Sequence, residues 1–293
     1  LRRRDFTMNA MLQDILTNEI VDPFGGRYDI EHHILKVVDA KTFGDDPLRV
    51  LRGVQFSARF SLKPDEASLA VLKDTAKHLN ELSSERIREE WVKLFQKGIT
   101  PSLGLALAFE IEAFGSAQSI IARLAETSQE QEWHPEGDVW THTKMVCDEV
   151  VSVCDRDGVE GRDRLVIMLG AFTHDIGKPE VTKLIEGRIR SKGHSEAGLK
   201  YIEEVLSALG LDSFVREVVP LVRFHKEHYV FYVARESDEK NGDGKFRKLA
   251  RAVHPATLEY LSYVTEADMA GRGPFPEGAH IKQSDARVWF RGE

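Results

Sequence analysis

Apolar residues change their spacing along the chain, and the change falls near residue 45. Between residues 8 and 38, short apolar stretches alternate with turn signals such as Asp22-Pro23-Phe24-Gly25-Gly26, which predicts short strands joined by turns. Beyond this part, apolar residues recur at helical spacing. The first helical series is Leu48, Leu51, Val54, Phe56 and Phe60. The pattern predicts a mainly α protein that begins with a short β-containing part.

Polar segments divide this pattern into parts. Residues 126–137 are polar and separate two helical sets, so we expect a boundary near residue 130. We predict three domains. Residues 1–40 form a β-containing part, residues 41–130 form a helical part, and residues 131–293 form a second helical part. Glu236–Gly244 is charged and rich in helix breakers, and we predict a loop there.

Composition narrows the classes of function. The chain has 293 residues, of which 42% are hydrophobic and 30% charged, as in soluble globular proteins. Its net charge of −8 disfavours a grip on nucleic acid over the whole surface. Acidic and basic residues balance only in residues 1–100, where we expect any polyanion-binding surface.

Two further features bear on location. The longest apolar run, residues 165–172, is far shorter than the roughly 20 residues of a membrane span, so we expect no membrane contact. Cys147 and Cys154 are seven residues apart on one predicted helix face, pointing at a core. This arrangement favours free thiols in a reducing, cytoplasmic setting.

His174-Asp175 follows the apolar run at 165–172 and precedes a helix stop that includes Lys178 and Pro179. Neighbouring residues on a helix point about 100° apart, so this imidazole and carboxylate can hold one metal from two sides. Lys178 either offsets the charge of a phosphate or is a solvated lysine. Four more candidate ligands lie near the ends of predicted helices: His142, His194, His225 and Asp268. Imidazole and carboxylate groups suit divalent metals.

The order His, His-Asp, His, His, Asp resembles the HD metal-dependent phosphohydrolase superfamily. The resemblance implies a helical domain in which His174 and Asp175 are catalytic. It implies a divalent metal (Mg, Mn, Ni or Co) that lowers the pKa of its bound water and polarises a phosphoryl oxygen. The implied metal ligands are His142, His174, Asp175, His194, His225 and Asp268.

The first hundred residues contain a second group of candidates. Arg2–Ala10 begins with a dense basic run, which is either an ordinary surface or a contact for phosphates. Asp46 is placed to cap a helix whose first residue is Pro47. Arg49 and Arg52 follow on one face. A carboxylate beside a guanidinium fork can hydrogen-bond the edge of a base.

Several motifs in fixed order resemble the bacterial tRNA nucleotidyltransferase family, which includes CCA-adding enzymes and poly(A) polymerases. They are RRDFTMNA at residues 3–10, DDPLRVLR at 45–52, LSSERIREEW at 82–91, HDIGK at 174–178 and EADMAGR at 266–272. The resemblance covers nearly the whole chain. It implies the end of a nucleotidyltransferase head, a helical neck and body, and a helical HD domain, with tRNA, ATP and CTP as partners.

The resemblance also implies roles for five residues. Arg4 and Asp5 would lie near the ribose and phosphates of the nucleotide, Asp46 and Arg49 would read its base, and Arg52 would contact its triphosphate. Two departures stand out. Gln55 occupies the place of a family arginine. The family's paired aspartates would precede Arg2, so we expect Mg-dependent transfer only where a catalytic head supplies them.

Three functions remain open on the sequence alone. The leading hypothesis is a tRNA nucleotidyltransferase family chain with an HD phosphohydrolase domain. The second is an HD phosphohydrolase that acts alone on nucleotides or RNA ends, including cyclic 2′,3′ phosphates. The third is a non-catalytic RNA-binding helical module.

Overall fold

The computed structural model describes residues 1–227 and 239–275. By compactness the chain divides into two units, Leu1–Gln118 and Ser119–Glu293. Both units are mainly helical with a few short strands, which confirms the predicted fold class. The functional domain limits at residues 40 and 130 remain predictions.

The first unit begins with short β elements. Strand β1 (Leu12–Gln13) pairs antiparallel with β2 (Ile20–Val21), and β3 (Ile34–Leu35) pairs parallel with β4 (Lys63–Pro64). Its helices are α1 (Gly26–Glu31), α2 (Ala40–Phe43), α3 (Leu48–Phe60), α4 (Glu66–Ala76), α5 (Ser84–Lys97) and α6 (Pro101–Glu110), and helix α7 (Gln118–Ala125) follows.

Helix α3 is the centre of the first unit, packed against α5 and α6. It buries Val50, Val54 and Ala58. Gly104 on α6 permits the close approach, because a Cβ there would lie 2.7 Å from the Val54 carbonyl oxygen. The helix begins one residue later than predicted, at Leu48, although the Asp46 carboxylate still accepts a hydrogen bond from the Leu48 N–H at 3.2 Å.

The second unit is a helical bundle with one hairpin, formed by β5 (Lys183–Ile185) and β6 (Arg188–Arg190). Its helices are α8 (Val139–Asp157), α9 (Gly161–Thr173), α10 (Lys178–Val181), α11 (His194–Ala208), α12 (Val215–Phe224), α13 (Glu239–Val253) and α14 (Leu258–Ala270). The apolar run at 165–172 lies entirely within α9 and is buried throughout. Helices α8, α12 and α14 pack around α9, so residues at their ends can meet.

The loop prediction at Glu236–Gly244 was wrong from Glu239 onward, where α13 begins, and residues 236–238 lie outside the described residues. Packing of α13 on α12 and α14 buries Leu249 and Val253 and outweighs the low helix propensity of its first turns. Cys147 and Cys154 are buried free thiols on α8, as expected.

Among the described residues, no single helix is long and apolar enough to cross a membrane. Helix α6 (Pro101–Glu110) and the helical segment Gly115–Ala125 are long and apolar enough for a membrane span only when they are taken together. The chain bends by 83° between them.

Candidate functional site

The His174-Asp175 pair lies where α9 ends and the chain turns into α10. His174 is the C-cap residue of α9, and Gly177 precedes α10 with Pro179 in its first turn. Both side chains of the pair are fully buried. The turn therefore directs an imidazole and a carboxylate into the interior of the second unit.

Four imidazoles converge on this carboxylate. His142 lies in the first turn of α8, His194 is the first residue of α11 and His225 is the C-cap residue of α12. The Nε2 atoms of His142 and His174 are 3.3 Å apart, and those of His194 and His225 are 3.2 Å apart. Ligands of one metal ion, each about 2.1 Å from it, lie about 3.0–3.4 Å apart.

Backbone carbonyls fix the tautomer of three of these rings. His174 Nδ1 donates to Ala171 O at 2.6 Å, and His194 and His225 make the same contact with the carbonyl three residues before each, both at 2.7 Å. An imidazole that donates from Nδ1 presents a lone pair at Nε2 when it is neutral. In the neutral form, the Nε2 atom of each of these three rings would therefore be able to bind a metal.

Asp175 lies between the two imidazole pairs. Its Oδ2 is 3.1 Å from His174 Nε2 and 3.7 Å from His142 Nε2. Its Oδ1 is 3.1 Å from His194 Nε2 and 3.9 Å from His225 Nε2. Two groups of potential metal ligands thus share one carboxylate.

The surroundings of Asp175 fit a cation. Within residues 1–227 and 239–275, neither carboxylate oxygen has a partner in hydrogen-bonding geometry, although Lys178 Nζ lies 2.5 Å from Oδ2. A buried carboxylate is costly unless cations neutralise it, and Lys178 alone faces only one of the two oxygens of Asp175. The donor set of imidazole nitrogens and carboxylate oxygens fits a divalent transition metal.

Asp268, in the last turn of α14, joins the site beside His142. Its Oδ1 is 3.1 Å from His142 Nε2, and Lys226 and Arg272 contact the same carboxylate at 3.3 and 3.2 Å. All six ligands implied by the resemblance therefore meet in one buried cluster. Their role as ligands remains a prediction.

The pKa shifts of Asp175, Asp268 and His225 suit metal binding, whereas burial is outweighed by Asp268 and Glu136 at His142, whose pKa is raised. Burial raises the pKa of the Asp175 carboxyl, but His174 and Lys178 outweigh it and hold that pKa well below its usual range. Lys226 and Arg272 likewise outweigh burial and lower the pKa of Asp268. Burial lowers the pKa of His225 well below its usual range. Ionised carboxylates and a neutral imidazole are the forms that bind metals.

Sequence reasoning missed Glu136, in the loop before α8. The side chain of Glu136 is fully buried, and its Oε1 lies 2.9 Å from His142 Nδ1 and 2.8 Å from His134 Nδ1. Its other oxygen accepts a hydrogen bond from Gly273 N at 3.2 Å. The only sequence signal was a carboxylate two residues from His134, which gives no indication of contact with His142.

Three cationic side chains lie near the cluster. The sequence left two alternatives open for Lys178, and it did not indicate a role for Lys226 or Arg272. Lys178 is only 5% exposed, so the alternative of a solvated lysine was wrong. Its Nζ lies 2.5 Å from Gln129 Oε1, and burial lowers its pKa despite the opposing effect of Asp175. Lys226 and Arg272 were signalled only by their places beside His225 and four residues after Asp268.

The first unit brings three of its predicted residues together around the basic N-terminal segment. Arg52 Nε lies 2.5 Å from Asp5 Oδ2, and the Asp5 carboxylate is buried. The Arg49 guanidinium donates hydrogen bonds to Thr42 O at 2.6 Å and Arg3 O at 3.0 Å. Backbone and side-chain contacts therefore fix both guanidinium groups on one face of α3.

Two predicted residues lie apart from that arrangement. Arg86 Nη2 contacts both oxygens of Asp46 at 3.0 Å, and both side chains are exposed. The Arg4 side chain is also exposed and makes no hydrogen bond or ion pair with another described residue. Gln55, in the place of a family arginine, is buried and accepts a hydrogen bond from Arg59 at 3.2 Å.

Comparison with protein families matches three parts of the chain. Residues 139–268 match the HD domain, which contains the buried cluster. Residues 1–36 match the poly A polymerase head domain, and residues 61–114 match the probable RNA and SrmB-binding site of polymerase A. The buried cluster therefore lies in an HD domain, and the chain before it contains parts that match polymerase A.

Curated relatives match this chain over nearly its whole length. It is 30% identical to the multifunctional CCA protein of Stenotrophomonas maltophilia, over 97% of the chain and 69% of that protein. It is 28% identical to the multifunctional CCA protein of Tolumonas auensis, with 98% and 69% covered. The chain belongs to the multifunctional CCA protein family, within the tRNA nucleotidyltransferases, which confirms the resemblance.

Solved structures show the same fold. A tRNA-processing enzyme in an apo form aligns with a TM-score of 0.57 at 18% identity, over 99% of this chain and 69% of that one. The Thermotoga maritima CCA-adding enzyme complexed with tRNA aligns with a TM-score of 0.52 at 16% identity, over 99% and 58%. A CCA-adding enzyme with ATP is matched over 57% of its length. The chain thus spans 57–69% of the length of these solved chains.

Proposed function

We propose that the HD domain is a metal-dependent phosphohydrolase that acts on phosphoesters of nucleotides or RNA ends. The observation that carries the proposal is the convergence of four imidazole Nε2 atoms on the buried Asp175 carboxylate. When bound, a divalent metal supplies an activated water and polarises a phosphoryl oxygen.

In this proposal, the side chains of the cluster and the cations around it have different roles. His142, His174, Asp175 and Asp268 hold one ion and leave positions open for water and a phosphoryl oxygen, which is typical of catalytic sites. His194 and His225 share Asp175 and either hold a second ion or contact the phosphate. Lys178, Lys226 and Arg272 offset the negative charge of the phosphate.

The test combines metal content with turnover. Purified protein should contain a divalent metal by mass spectrometry and hydrolyse 2′,3′-cyclic AMP and p-nitrophenyl phosphate when Ni, Mn, Co or Mg is added. Chelation should stop both reactions, and metal should restore them. If the wild-type protein binds none of these metals, the non-catalytic RNA-binding module becomes the better explanation.

Glu136→Gln tests how the His142 ligand is held. A neutral amide next to His142 Nδ1 polarises the ring less and fixes its orientation less well. We expect metal affinity to fall about 10- to 100-fold, the usual effect of such changes, measured by competition with a chromophoric chelator. Glu126→Gln, at an exposed position of the segment between α7 and α8, is the matched control and should keep the wild-type affinity. Equal affinity in both variants would contradict the role of Glu136.

The first unit, we also infer, takes part in nucleotide and tRNA recognition for CCA addition, with Mg required for transfer. Its support is family membership together with the fixed guanidinium groups of Arg49 and Arg52 on α3. In this proposal Asp46 and Arg49 read the base, Arg52 contacts the triphosphate, and Arg4 and Asp5 lie near the ribose and phosphates. A cytoplasmic location follows from this function and remains a prediction.

Arg49→Lys is expected to damage base discrimination despite conserving charge. An ammonium group cannot reproduce the planar fork that contacts two backbone carbonyls and still presents donors to a base. Loss of a paired base contact costs about 1–3 kcal/mol of discrimination. The measurement is equilibrium binding of CTP, ATP and UTP, with Arg59→Lys on the same helix as control. Unchanged ratios among the three affinities in Arg49→Lys would count against the assignment.

A further inference from the structure

A cavity of about 450 Å³ opens beside the buried cluster of histidines and aspartates, within the second unit. His194, one of the proposed ligands, forms part of its lining, as do Lys178 and Arg272. The volume lies within the range of about 300–1,000 Å³ that small-molecule sites occupy. A molecule in this cavity can therefore place one end at the buried cluster.

The lining is strongly cationic, although this unit carries more acidic than basic residues. Five cations line the cavity: Lys178, Arg190, Lys192, Lys226 and Arg272. Lys178 pairs with Asp175, and Lys226 and Arg272 pair with Asp268, so the charge offered to a ligand comes chiefly from the other two. The one carboxylate in the lining, Glu130, is engaged by the Ile189 N–H at 2.8 Å. Arg190 and Lys192 are exposed and form no ion pair with a carboxylate in residues 1–227 and 239–275. Such a cavity attracts an anion.

An aromatic face lies in the same lining. Trp133 is 49% exposed, whereas Trp91 and Trp140 are almost fully buried. In the described residues from Ser119 onward, the other exposed large apolar side chains are Leu184 and Ile185, which do not line the cavity. An indole on a cationic wall offers a stacking surface for a nucleobase, whose stacking is tolerant of base identity.

The loop that carries Trp133 is rigidly held. Trp133 N and His134 N both donate to Glu130 O, at 3.0 and 2.9 Å, and Gly137 N donates to His134 O at 3.1 Å. The exposed Arg188–Glu132 ion pair, at 3.0 Å, joins this loop to β6. A stacking surface fixed in advance loses little entropy when a base binds.

We propose that this cavity selects nucleoside phosphates, with Trp133 stacking on the base while Arg190 and Lys192 attract the phosphate. The inference rests on the proposed phosphohydrolase function and adds a preference for a base near the ester. A free nucleotide and the last nucleotide of an RNA present this same chemistry.

The test measures binding in the presence of a chelator, so that no turnover occurs and only the residues of the chain contribute. The probes are AMP, ribose 5-phosphate and a short single-stranded RNA with a 3′-terminal phosphate, titrated by calorimetry. Wild-type protein should bind AMP about 5- to 150-fold more tightly than ribose 5-phosphate, the range expected for one stacked base. RNA binding tighter than AMP identifies an RNA end as the source, whereas equal binding identifies a free nucleotide.

Variants separate the two contacts. Trp133→Ala should reduce the affinity for AMP to that for ribose 5-phosphate, and Trp133→Phe should retain most of the preference. Arg190→Gln combined with Lys192→Gln should weaken all three probes. Leu184→Ala, 73% exposed on β5 and outside the lining, is the matched control. Helical circular dichroism verifies that each variant is folded.

The outcomes distinguish this inference from the function on which it rests. Equal affinities for AMP and ribose 5-phosphate in wild-type protein, or an unchanged preference in Trp133→Ala, would overturn the selection of a base, even if metal-dependent hydrolysis is found. A base preference that depends on Trp133 in a protein without hydrolysis would uphold the nucleotide cavity and reject the phosphohydrolase.

Discussion

Asp175→Asn should release the metal from the HD domain and lower phosphoester hydrolysis by about 100- to 1,000-fold. Asp175 is the one residue that both imidazole pairs share, so its loss removes a charged ligand from both groups at once. An amide has similar volume, and the change therefore leaves the surrounding packing intact. Metal content by mass spectrometry and turnover of 2′,3′-cyclic AMP measure the two effects.

Chelation gives an independent readout of the same variant. A metal that binds only the folded state stabilises it by about 2.7 kcal/mol at 100 times Kd, so EDTA should lower the Tm of wild-type protein. In Asp175→Asn the addition of EDTA should leave Tm unchanged. Asp212→Asn, an exposed carboxylate in the same unit, should behave as wild type. An Asp175→Asn protein that still contains one metal per chain would show that Asp175 is not a ligand.

The meeting of the histidine and aspartate side chains in one cluster could be predicted from the sequence because most of them have a local signal, while their role as metal ligands stays a prediction. His174-Asp175 follows a buried apolar run, and His142, His194 and His225 each lie within one turn of a helix end. Helix ends in a bundle gather at common levels, so histidines at such positions tend to meet. The order of these histidines and aspartates along the chain resembles that of the HD superfamily. This resemblance limits the combinations of residues that could form one site.

Other parts of the site depend on contacts between distant residues. Gln129 and Lys178 are 49 positions apart, and Arg86 and Asp46 are 40 apart, so no local pattern indicates either pair. The buried position of Lys178 follows from its pairing with Asp175, which pays part of the cost of removing an ammonium group from water. From the sequence pattern alone, a lysine at a helix end is expected to be exposed to solvent.

Charge counts along the chain do not indicate the cationic cavity, because it lies in the second unit, where acidic residues outnumber basic ones. The expectation that a polyanion-binding surface lies in residues 1–100 stays a prediction. The cations of the cavity come from the start of α10, from β6, from the residues just before α11 and just after α12, and from the segment that follows α14. Average charge over a hundred residues says little about a local field, because only the folded chain decides which charges face one cavity.

Gly177→Ala should destabilise the HD domain and weaken metal binding together. A Cβ at residue 177 would lie 2.1 Å from the His194 carbonyl oxygen and 2.3 Å from Gly198 N, both on the backbone of α11. Backbone atoms cannot rotate away, so α11 must shift. That shift moves His194 Nε2 from its position 3.1 Å from Asp175 Oδ1.

The expected cost of this overpacking is about 1–3 kcal/mol in the free energy of unfolding. For a unit of this size, that cost lowers Tm by about 2–12 °C. Two glycines provide a graded comparison. Gly198→Ala places its Cβ 3.0 Å from Gly177 N and should have a smaller effect, and Gly44→Ala has no heavy atom within 4 Å and should be close to wild type.

The paired measurement identifies what Gly177 does. If the glycine only relieves crowding, Tm falls in Gly177→Ala while metal affinity at a temperature well below Tm stays constant. If the close approach of the His174-Asp175 turn to α11 sets the ligand geometry, metal affinity falls even in fully folded protein, as judged by circular dichroism. We expect the second result, because the crowded carbonyl belongs to His194 itself and its imidazole cannot keep its place when α11 moves.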